Sequence, residues 1–401
     1  MNKKVFIVGA LRSPIGSYLG ALKDTHPSDF GSQVLSKLLE VTNVPKDKIT
    51  EVIVGNILPA GIGQGIARQI SIKAGVPDSV PAYSLNMVCG SGMKSMMNGF
   101  MGIQSGFSSI VVAGGVESMS RTPYLVPGKV RDGVKMGDLT LTDHMIGDAL
   151  TDAFGNMHMG ITAENIANKY NISRDEQDHF AMNSQEKAIA AIDALKFKDE
   201  ICPIEIKTRK ETILFDTDEY PNRTTSFEKL GKLRPAFVKD GSVTAGNSSG
   251  INDGASFTIL ASEEAVKENN LPVLAEIIQI GQGGVDPNFM GMGPVPAIRD
   301  VLLRANMKLS EVELIELNEA FAAQSIGVVK ELSLEHGVSE EDIFKITNVN
   351  GGAIALGHPV GVSGNRIVVT LLNEMIKRDL HIGLASLCIG GGMGTAIIIK
   401  R

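Results

Sequence analysis

The chain has 401 residues, of which 43% are hydrophobic and 21% charged, a composition typical of soluble globular proteins. The formal net charge of −7 and the absence of a Lys/Arg block argue against nucleic-acid binding. No apolar run approaches the roughly 20 residues that a membrane span requires, and the length predicts two or three domain-sized units.

The three cysteines, Cys89, Cys202 and Cys388, lie far apart and show no close-spaced ligand pattern. This spacing predicts neither a disulfide framework nor a zinc site, so we expect no metal and a reducing, cytoplasmic location. The apolar run at residues 5–11 ends at residues 12–14 (RSP) without a cleavage-site pattern. We therefore predict a first buried strand here and not a signal peptide.

The first part of the chain alternates between apolar runs and amphipathic stretches. Continuous apolar runs are typical of strands buried on both faces, and apolar residues at helical spacing indicate a helix packed by one face. Ser28 is the expected N-cap of the first helix. The predicted elements are strands at residues 5–11, 51–56 and 109–113 and helices at residues 29–40 and 91–106.

The same order of elements returns late in the chain. Residues 313–318 (ELIELN) match residues 51–56 (EVIVGN) at a constant offset of 262. Any two α/β segments share such a coarse pattern, but the Glu-x-Ile-x-x-Asn spacing and the paired Ser-Gly helix starts favour duplication. The sequence therefore predicts an α/β protein of two like halves. The late elements are helices at residues 295–305 and 365–378, strands at residues 313–318 and 383–387, and a glycine run at residues 390–392.

Residues 121–245 differ from both halves. They contain a loop-rich stretch, one long helical stretch at 161–195, a short strand at 202–206 and a polar, charged stretch at 216–233. So long an insertion predicts a lid or substrate-binding region. A Gly/Ser/Asn loop follows, and residues 255–261 read as a strand that returns to the first half. We thus divide the chain into an N-terminal half at 1–120, completed by 246–271, an inserted loop domain at 121–245 and a C-terminal half at 272–401.

Four clusters carry residues suited to chemistry, and all fall at strand ends or helix starts, where open α/β sheets bind ligands. Each has a simpler interpretation. Cys89 could pack as a small hydrophobe, His358 could cap a turn, Asn318 could cap the following helix, and the glycines after Cys388 could bind phosphate or allow close packing. A fifth stretch, GQGG at 281–284, lacks the strand-to-helix context of a dinucleotide site. The four clusters are residues 86–92 (NMVCGSG), 318–321 (NEAF), 357–364 (GHPVGVSG) and 388–394 (CIGGGMG).

Taken together, these clusters resemble the thiolase family, and the resemblance extends over the whole chain. It implies a duplicated five-layer αβαβα fold with an inserted loop domain. Further matching stretches are residues 156–160 (NMHMG), 233–237 (LRPAF), 240–253 and 290–294 (MGMGP).

The resemblance implies a Claisen condensation of two acyl thioesters, or its thiolytic reverse. Cys89 would be the nucleophile and His358 its base, because an unperturbed thiol of pKa about 8.5 is only a few per cent thiolate at neutral pH. Cys388 would exchange the α-proton of the second substrate. His358 and a water held by Asn318 would form one oxyanion hole, and the backbone N–H groups of Cys89 and Gly390 the other. Glycines 90, 92, 390 and 391 would let backbone amides approach the substrate.

The resemblance also implies that the substrates are coenzyme A thioesters and that no cofactor is bound permanently. His158, Met159 and Met290 resemble the short-chain, acetoacetyl-forming branch; a 3-ketoacyl-CoA thiolase of broader chain length is the alternative. We expect a homo-oligomer, a tetramer built as a dimer of dimers or a dimer, with neither nucleic acid nor membrane as a partner. Cys202 has no implied role beyond packing. The matching substrate and coenzyme A positions are Leu150, His158, Met159, Arg223, Lys229, Ala236, Phe237, Ala245, Ser249, Gly250, Met290, Ala320 and Phe321.

Three other activities were weighed. A decarboxylating ketoacyl synthase pairs one Cys with two His residues, and the Cys388 loop stands where the second His would be. A synthase that condenses acetyl-CoA with acetoacetyl-CoA is disfavoured by the second reactive cysteine. A non-enzymatic acyl-CoA-binding relative predicts lost catalytic positions, whereas Cys89, Asn318, His358 and Cys388 are all present.

Overall fold

The computed structural model describes residues 3–401. Within these residues there are twelve α-helices and fourteen strands. The strands are β1 (Val5–Arg12), β2 (Gly16–Ser17), β3 (Glu51–Gly55), β4 (Ala82–Leu85), β5 (Ile110–Ser118), β6 (Tyr124–Leu125), β7 (Thr142–Asp143), β8 (Ile204–Lys207), β9 (Thr212–Phe215), β10 (Asn252–Ser262), β11 (Ala275–Gly284), β12 (Leu314–Leu317), β13 (Ile382–Ile389) and β14 (Met393–Lys400). The helices are α1 (Pro27–Thr42), α2 (Ile66–Lys73), α3 (Ser91–Gln104), α4 (Met159–Lys169), α5 (Arg174–Asp193), α6 (Phe227–Gly231), α7 (Glu263–Asn269), α8 (Pro294–Ala305), α9 (Ala322–His336), α10 (Glu340–Ile346), α11 (Ala353–Leu356) and α12 (Ser363–Arg378).

The main sheet repeats one pairing pattern in its two halves. Its order is β12-β13-β14-β11-β1-β10-β5-β3-β4. In the first half β3 runs parallel to β5, which runs antiparallel to β10; in the second, β12 runs parallel to β13, which runs antiparallel to β14. The halves join where Phe6 pairs with Glu276 and Ile7 with Ala275. The predicted α/β duplication is confirmed.

Alternation along the strands builds five layers. On β3, Val52 and Val54 face an outer core formed with α1 and α2, whereas Ile53 faces a central core. The central core holds α3 and α12 between the two halves of the sheet, and α8, α9 and α10 cover the far face of the second half. This is the αβαβα order that the family resemblance implies, and it places the start of both central helices in the middle of the molecule.

Strand β5 is longer than predicted, because it continues through Gly114 and Gly115. A Cβ on Gly114 would lie 2.2 Å from the carbonyl oxygen of Ser256, and one on Gly115 would lie 2.1 Å from that of Gly361. The two glycines therefore permit close approach of neighbouring backbone and do not form a turn. The prediction that the strand ends at residue 113 was wrong for this reason.

Two helix predictions also need correction. Helix α1 begins at Pro27, and the side chain of His26, not Ser28, caps it by accepting a hydrogen bond from the Ser28 N–H. The predicted helix at 161–195 is two helices. Asn171, with a φ of 50°, ends the first, and Ser173 forms a capping box with Glu176 that starts the second.

The region between the halves is tied down by a buried ion-pair cluster. Arg12 of β1 contacts Glu200 at 2.6 Å and Asp218 at 2.7 Å, and all three side chains are buried. Because both carboxylates belong to residues 121–245, this cluster fastens that region to the first half. Within residues 3–401, no helix has the length and apolar character needed to cross a membrane.

Candidate active site

A cavity of about 440 Å³ opens where the two halves meet the intervening region. Its size is that of a small-molecule site, and most of its wall is apolar. Cys89 from the first half and His358, Cys388 and Gly390 from the second all line it, so the structure brings together four of the five predicted catalytic residues. The other lining residues are Tyr18, Met119, Ala149, Leu150, His158, Met159, Tyr220, Ala236, Phe237, Ala245, Ser248, Ser249, Gly250, Ile251, Met290, Ala320, Phe321 and Val360.

Cys89 is presented on a strained turn between β4 and α3. The preceding residue, Val88, has a φ of 44°, a region that a β-branched residue rarely occupies. The Asn86 side chain accepts a hydrogen bond from the Val88 N–H (2.9 Å), and Ser91 Oγ accepts one from the Met87 N–H (2.9 Å). These contacts stabilise the strained backbone of the turn. Cys89 is partly exposed to the cavity at the N-terminal end of α3.

His358 is oriented by Ser363, a residue that the sequence reading assigned only to a helix start. Ser363 Oγ lies 3.1 Å from the Pro359 carbonyl oxygen, to which it can donate, and 2.6 Å from His358 Nδ1. With the hydroxyl proton directed at that carbonyl, Oγ accepts from Nδ1, and on this arrangement we assign the proton of the neutral imidazole to Nδ1. Nε2 has no hydrogen-bond partner among residues 3–401, and its lone pair is free to accept a proton.

The thiols and the imidazole are all uncharged at neutral pH. Burial raises the pKa of Cys89 to about 11, opposed by hydrogen bonds from the backbone N–H groups of Gly390 and Cys89. Burial also raises the pKa of Cys388, and burial followed by the charge of Arg366 lowers the pKa of His358 to about 4. A proton must therefore move to His358 as Cys89 attacks, because no thiolate is formed in advance.

Cys388 and Gly390 occupy the end of β13 and the turn into β14. Cys388 is 1% exposed, and it pairs across the hairpin with Gly394. The Gly390 backbone N–H opposes the rise that burial causes in the pKa of Cys89. The second half therefore contributes a backbone donor to the surroundings of the nucleophile of the first.

Asn318 lies behind the cavity wall and not on its surface. Its N–H donates to the Ser386 carbonyl (3.0 Å), which fixes it at the end of β12 beside β13. Its side chain is fully buried, and neither Nδ2 nor Oδ1 has a hydrogen-bond partner in the described part of the chain. A buried amide of this kind is suited to holding a water, as the family resemblance implies.

Glu117 joins the two halves beside the site, and the sequence reading missed it. This buried carboxylate at the end of β5 accepts hydrogen bonds from the N–H groups of Ile57 (2.9 Å), Leu58 (3.2 Å) and Gly361 (3.1 Å). Burial raises its pKa to about 7, and those backbone donors oppose the rise. Gly361 belongs to the His358 loop, so Glu117 fixes that loop to the half that carries Cys89.

The substrate side of the cavity is built from stacked rings. His158 stacks on Phe237 with ring centroids 4.6 Å apart, and Phe237 meets Phe321 edge to face at 6.2 Å. Gly160 allows this arrangement, because a Cβ there would lie 2.3 Å from the Phe237 ring. Met290 is buried in the same cluster. The predicted contact residues of this region thus line one wall.

Two predicted coenzyme A contacts lie outside this cavity. Arg223 is exposed and pairs with Asp193 at 2.6 Å. Lys229 donates to the Thr224 carbonyl (2.6 Å) and lines a neighbouring groove. Tyr220 borders both the cavity and this groove, and no motif in the sequence singled it out.

Comparison with known proteins gives full-length matches. The thiolase N-terminal domain model matches residues 5–264, and the thiolase C-terminal domain model matches residues 271–401. Acetyl-CoA acetyltransferase of Pseudomonas aeruginosa is 52% identical over 99% of both chains, and that of Allochromatium vinosum is 50% identical over 100% of both.

Two solved structures are also similar over the whole chain. Acetyl-CoA acetyltransferase from Syntrophomonas wolfei has a TM-score of 0.97 and 40% identity, with 100% of both chains covered. Human mitochondrial 3-ketoacyl-CoA thiolase in complex with CoA has a TM-score of 0.93 and 42% identity, with 100% of this chain and 98% of that chain covered.

Proposed function

The chain belongs to the thiolase family, and on that premise we propose that it is an acetyl-CoA C-acetyltransferase. This acyltransferase condenses two acetyl-CoA molecules to acetoacetyl-CoA and free coenzyme A, and it catalyses the reverse thiolysis. The observation that carries the proposal is the meeting of Cys89, His358 and Cys388 in one cavity. Full-length relatives at 50–52% identity bear this name, which favours it over a 3-ketoacyl-CoA thiolase of broader chain length.

The first half-reaction moves the acetyl group to Cys89. The sulfur attacks the thioester carbonyl while His358 Nε2 accepts the thiol proton, and the tautomer fixed by Ser363 leaves that nitrogen able to do so. The bond to the coenzyme A sulfur then breaks, and the imidazolium returns its proton to the departing thiolate. Free coenzyme A leaves, and acetyl-Cys89 remains.

The second half-reaction forms the carbon–carbon bond. Cys388 first gives its thiol proton to His358 Nε2, and the resulting thiolate removes an α-proton from a second acetyl-CoA to form a carbanion that attacks the acetyl carbon of acetyl-Cys89. The bond from that carbon to the Cys89 sulfur breaks as acetoacetyl-CoA forms, and the His358 imidazolium returns its proton to the Cys89 sulfur, which leaves both thiols and the imidazole neutral. Because burial raises the pKa of both thiols, a free thiolate is costly here, and proton transfer has to accompany each step.

Two sets of donors support the oxyanions that these steps create. The Gly390 and Cys89 backbone N–H groups, which oppose the rise in the Cys89 pKa, would donate to the oxygen of the tetrahedral intermediate formed at Cys89. His358 and a water held by Asn318 would serve the second thioester oxygen. The loss of one such donor typically costs 10²- to 10³-fold in rate.

The cavity supports a short acyl group. Met159, Met290 and Phe321 are each buried and close the wall around Cys388. A pantetheine arm would enter past Ser249 and Gly250, which line the cavity. The acetyl and acetoacetyl thioesters fill such a space, whereas longer chains need these side chains to move.

The activity is tested by mixing the protein with acetoacetyl-CoA and free coenzyme A and following loss of the acetoacetyl absorbance. We expect rapid loss with acetoacetyl-CoA and a steep fall in kcat/KM as the 3-ketoacyl chain lengthens. No loss at micromolar enzyme would rule out thiolase activity. Equal kcat/KM for long chains would instead support the broader 3-ketoacyl-CoA thiolase.

We also propose a homotetramer in the cytoplasm. Strand β4 lies at the outer edge of the sheet, and Tyr83 on it is exposed, which suits pairing with a second copy. Met136, Leu139 and Leu141 are exposed apolar residues of the inserted loop and suit a second contact. Light scattering coupled to size-exclusion chromatography tests this: four chains support the proposal, and two or one contradict it.

A further inference from the structure

A buried ion pair that the proposed steps do not use lies next to the site. Arg366 is 1% exposed and Glu316 is 2% exposed, and their nearest atoms, Nη1 and Oε2, are 3.6 Å apart. Within residues 3–401, none of the three guanidinium nitrogens of Arg366 has a hydrogen-bond partner, and neither has that Glu316 oxygen. Burying charges with so few hydrogen bonds is costly, so packing alone does not explain the pair.

Each member of the pair sits beside a residue of the site. Arg366 follows Ser363 by three positions in α12, so their side chains share a helix face, and Ser363 holds His358 Nδ1. Glu316 precedes Asn318 by two positions at the end of β12, where side chains two apart point to the same side. Arg366 is therefore fixed on the helix that follows the His358 loop, and Glu316 on the strand that ends just before Asn318.

We propose that Arg366 and Glu316 are positioning residues that set the protonation state of His358 through their electric field. The positive charge of Arg366 favours the neutral imidazole, which can accept a proton, and the negative charge of Glu316 partly cancels that effect. The inference deepens the proposed thiolase function and rests on it. The charge of Arg366, after burial, lowers the pKa of His358, in agreement with this direction.

Other ionisable groups also face the His358 loop, and substitutions at Arg366 and Glu316 leave these groups in place. Glu117 of β5 accepts from Gly361 of the loop, and Asp253 of β10 follows Asn252, which accepts from the His358 N–H. When they are ionised, both carboxylates oppose the effect of Arg366 on the pKa of His358, although burial raises the pKa of each carboxylate. The remaining ionisable residues of the cavity wall are Cys89, Cys388, His158, Tyr18 and Tyr220, and the charges of Arg12, Glu200 and Asp218 act on Arg366.

The test compares Arg366→Met, Glu316→Gln and the double variant with the wild type. The midpoint of the acid limb of kcat/KM for acetoacetyl-CoA thiolysis is measured, together with an NMR titration of the His358 ring, assigned with His358→Asn. We expect Arg366→Met to raise both midpoints by about one pH unit. Glu316→Gln should lower them, and the double variant should lie above the wild type.

Arg366→Met alone leaves the Glu316 carboxylate buried without its partner and could fail to fold. The double variant removes that carboxylate as well, so the midpoints can still be measured. Arg378→Met, at the partly exposed end of the same helix, is the matched control and should not move either midpoint. Unchanged midpoints in the double variant, with or without a lower kcat, would overturn the inference and leave the pair a structural role. A wild type without thiolysis would instead contradict the proposed function, and the NMR midpoints would still decide the inference.

Discussion

At the scale of single residues, the site depends on a few atoms whose positions are fixed by neighbouring groups. Val88 has an unfavourable positive φ, and the next residue, Cys89, is partly exposed at the start of a helix. The His358 tautomer is assigned from the Ser363 hydroxyl, whose donation to the Pro359 carbonyl makes it an acceptor for Nδ1. The nucleophile and its base are thus oriented by side chains that do not line the cavity.

Ser363→Ala should impair the base without removing it. Without the hydroxyl, Nδ1 loses its acceptor and the other tautomer, which cannot accept a proton at Nε2, becomes populated. We expect kcat for thiolysis to fall by roughly 10²-fold, within the range of general-base contributions, with little change in the unfolding midpoint.

The matched control for this variant is Ser71→Ala, a change at another buried serine whose hydroxyl has no hydrogen-bond partner among residues 3–401. It lies on α2 in an outer layer. Equal kcat values for the two variants would show that Ser363 does not direct the tautomer.

At the scale of elements, two helix starts meet at the centre of the molecule. A Cβ on Gly92 of α3 would lie 2.9 Å from the Asn365 amide nitrogen and 3.0 Å from the carbonyl oxygens of Gly361 and Val362. The sequence reading assigned Gly92 to substrate approach. In the structure, the absence of a side chain at Gly92 also lets the N-terminal ends of α3 and α12 pack against each other.

Gly92→Ala should therefore destabilise the fold as well as the site. Overpacking against rigid backbone costs about 1–3 kcal/mol, and the His358 loop would be displaced with Gly361. We expect a lower urea midpoint and a reduced kcat. Gly231→Ala, at a helical glycine whose added Cβ meets nothing within 4 Å, should change neither; matching losses in both variants would argue against the close approach.

The elements that the sequence predicts well are those governed by periodicity. The strands around Ile53 and Leu317 and the helices α3, α8 and α12 follow from local apolar spacing, and the paired Ser-Gly starts identify the duplication. Cys89, His358 and Cys388 were found because each lies in a glycine-rich stretch at an element end. Periodicity cannot show which strands continue through glycines, as β5 does, since that depends on distant backbone.

Residues that act through long-range contacts escaped the sequence reading for the same reason. Glu117 and Gly361 are 244 positions apart, and nothing local to either predicts their hydrogen bond. Tyr220 joins the cavity wall only when the intervening region folds over the first half. The interpretation of Asn318 as an ordinary helix cap was also open until its buried, unpartnered amide was seen.

At the scale of the whole molecule, the site exists because three parts of the chain are held together. The first half contributes Cys89, the second contributes His358 and Cys388, and the intervening region contributes His158 and Phe237. The Arg12 cluster and Glu117 are among the buried polar contacts that join these parts. Their loss should therefore affect assembly of the cavity as well as stability.

Arg12→Met should destabilise the protein strongly, because it leaves Glu200 and Asp218 buried without a counter-charge. Breaking a buried pair in this way costs roughly 3–5 kcal/mol. We expect a large drop in the urea midpoint. Arg223→Met removes an exposed ion pair with Asp193 and should leave the midpoint unchanged; similar drops in both would contradict the role of the cluster.

The central claim is that acetyl transfer passes through Cys89 and that Cys388 acts only afterwards. Intact-mass spectrometry of the protein mixed with acetyl-CoA tests it most directly, using wild type, Cys89→Ala and Cys388→Ala. We predict that Cys388→Ala gains the mass of one acetyl group at Cys89 yet forms no acetoacetyl-CoA, and that Cys89→Ala gains none. Acetylation of Cys89→Ala to the same extent as the wild type would contradict the account.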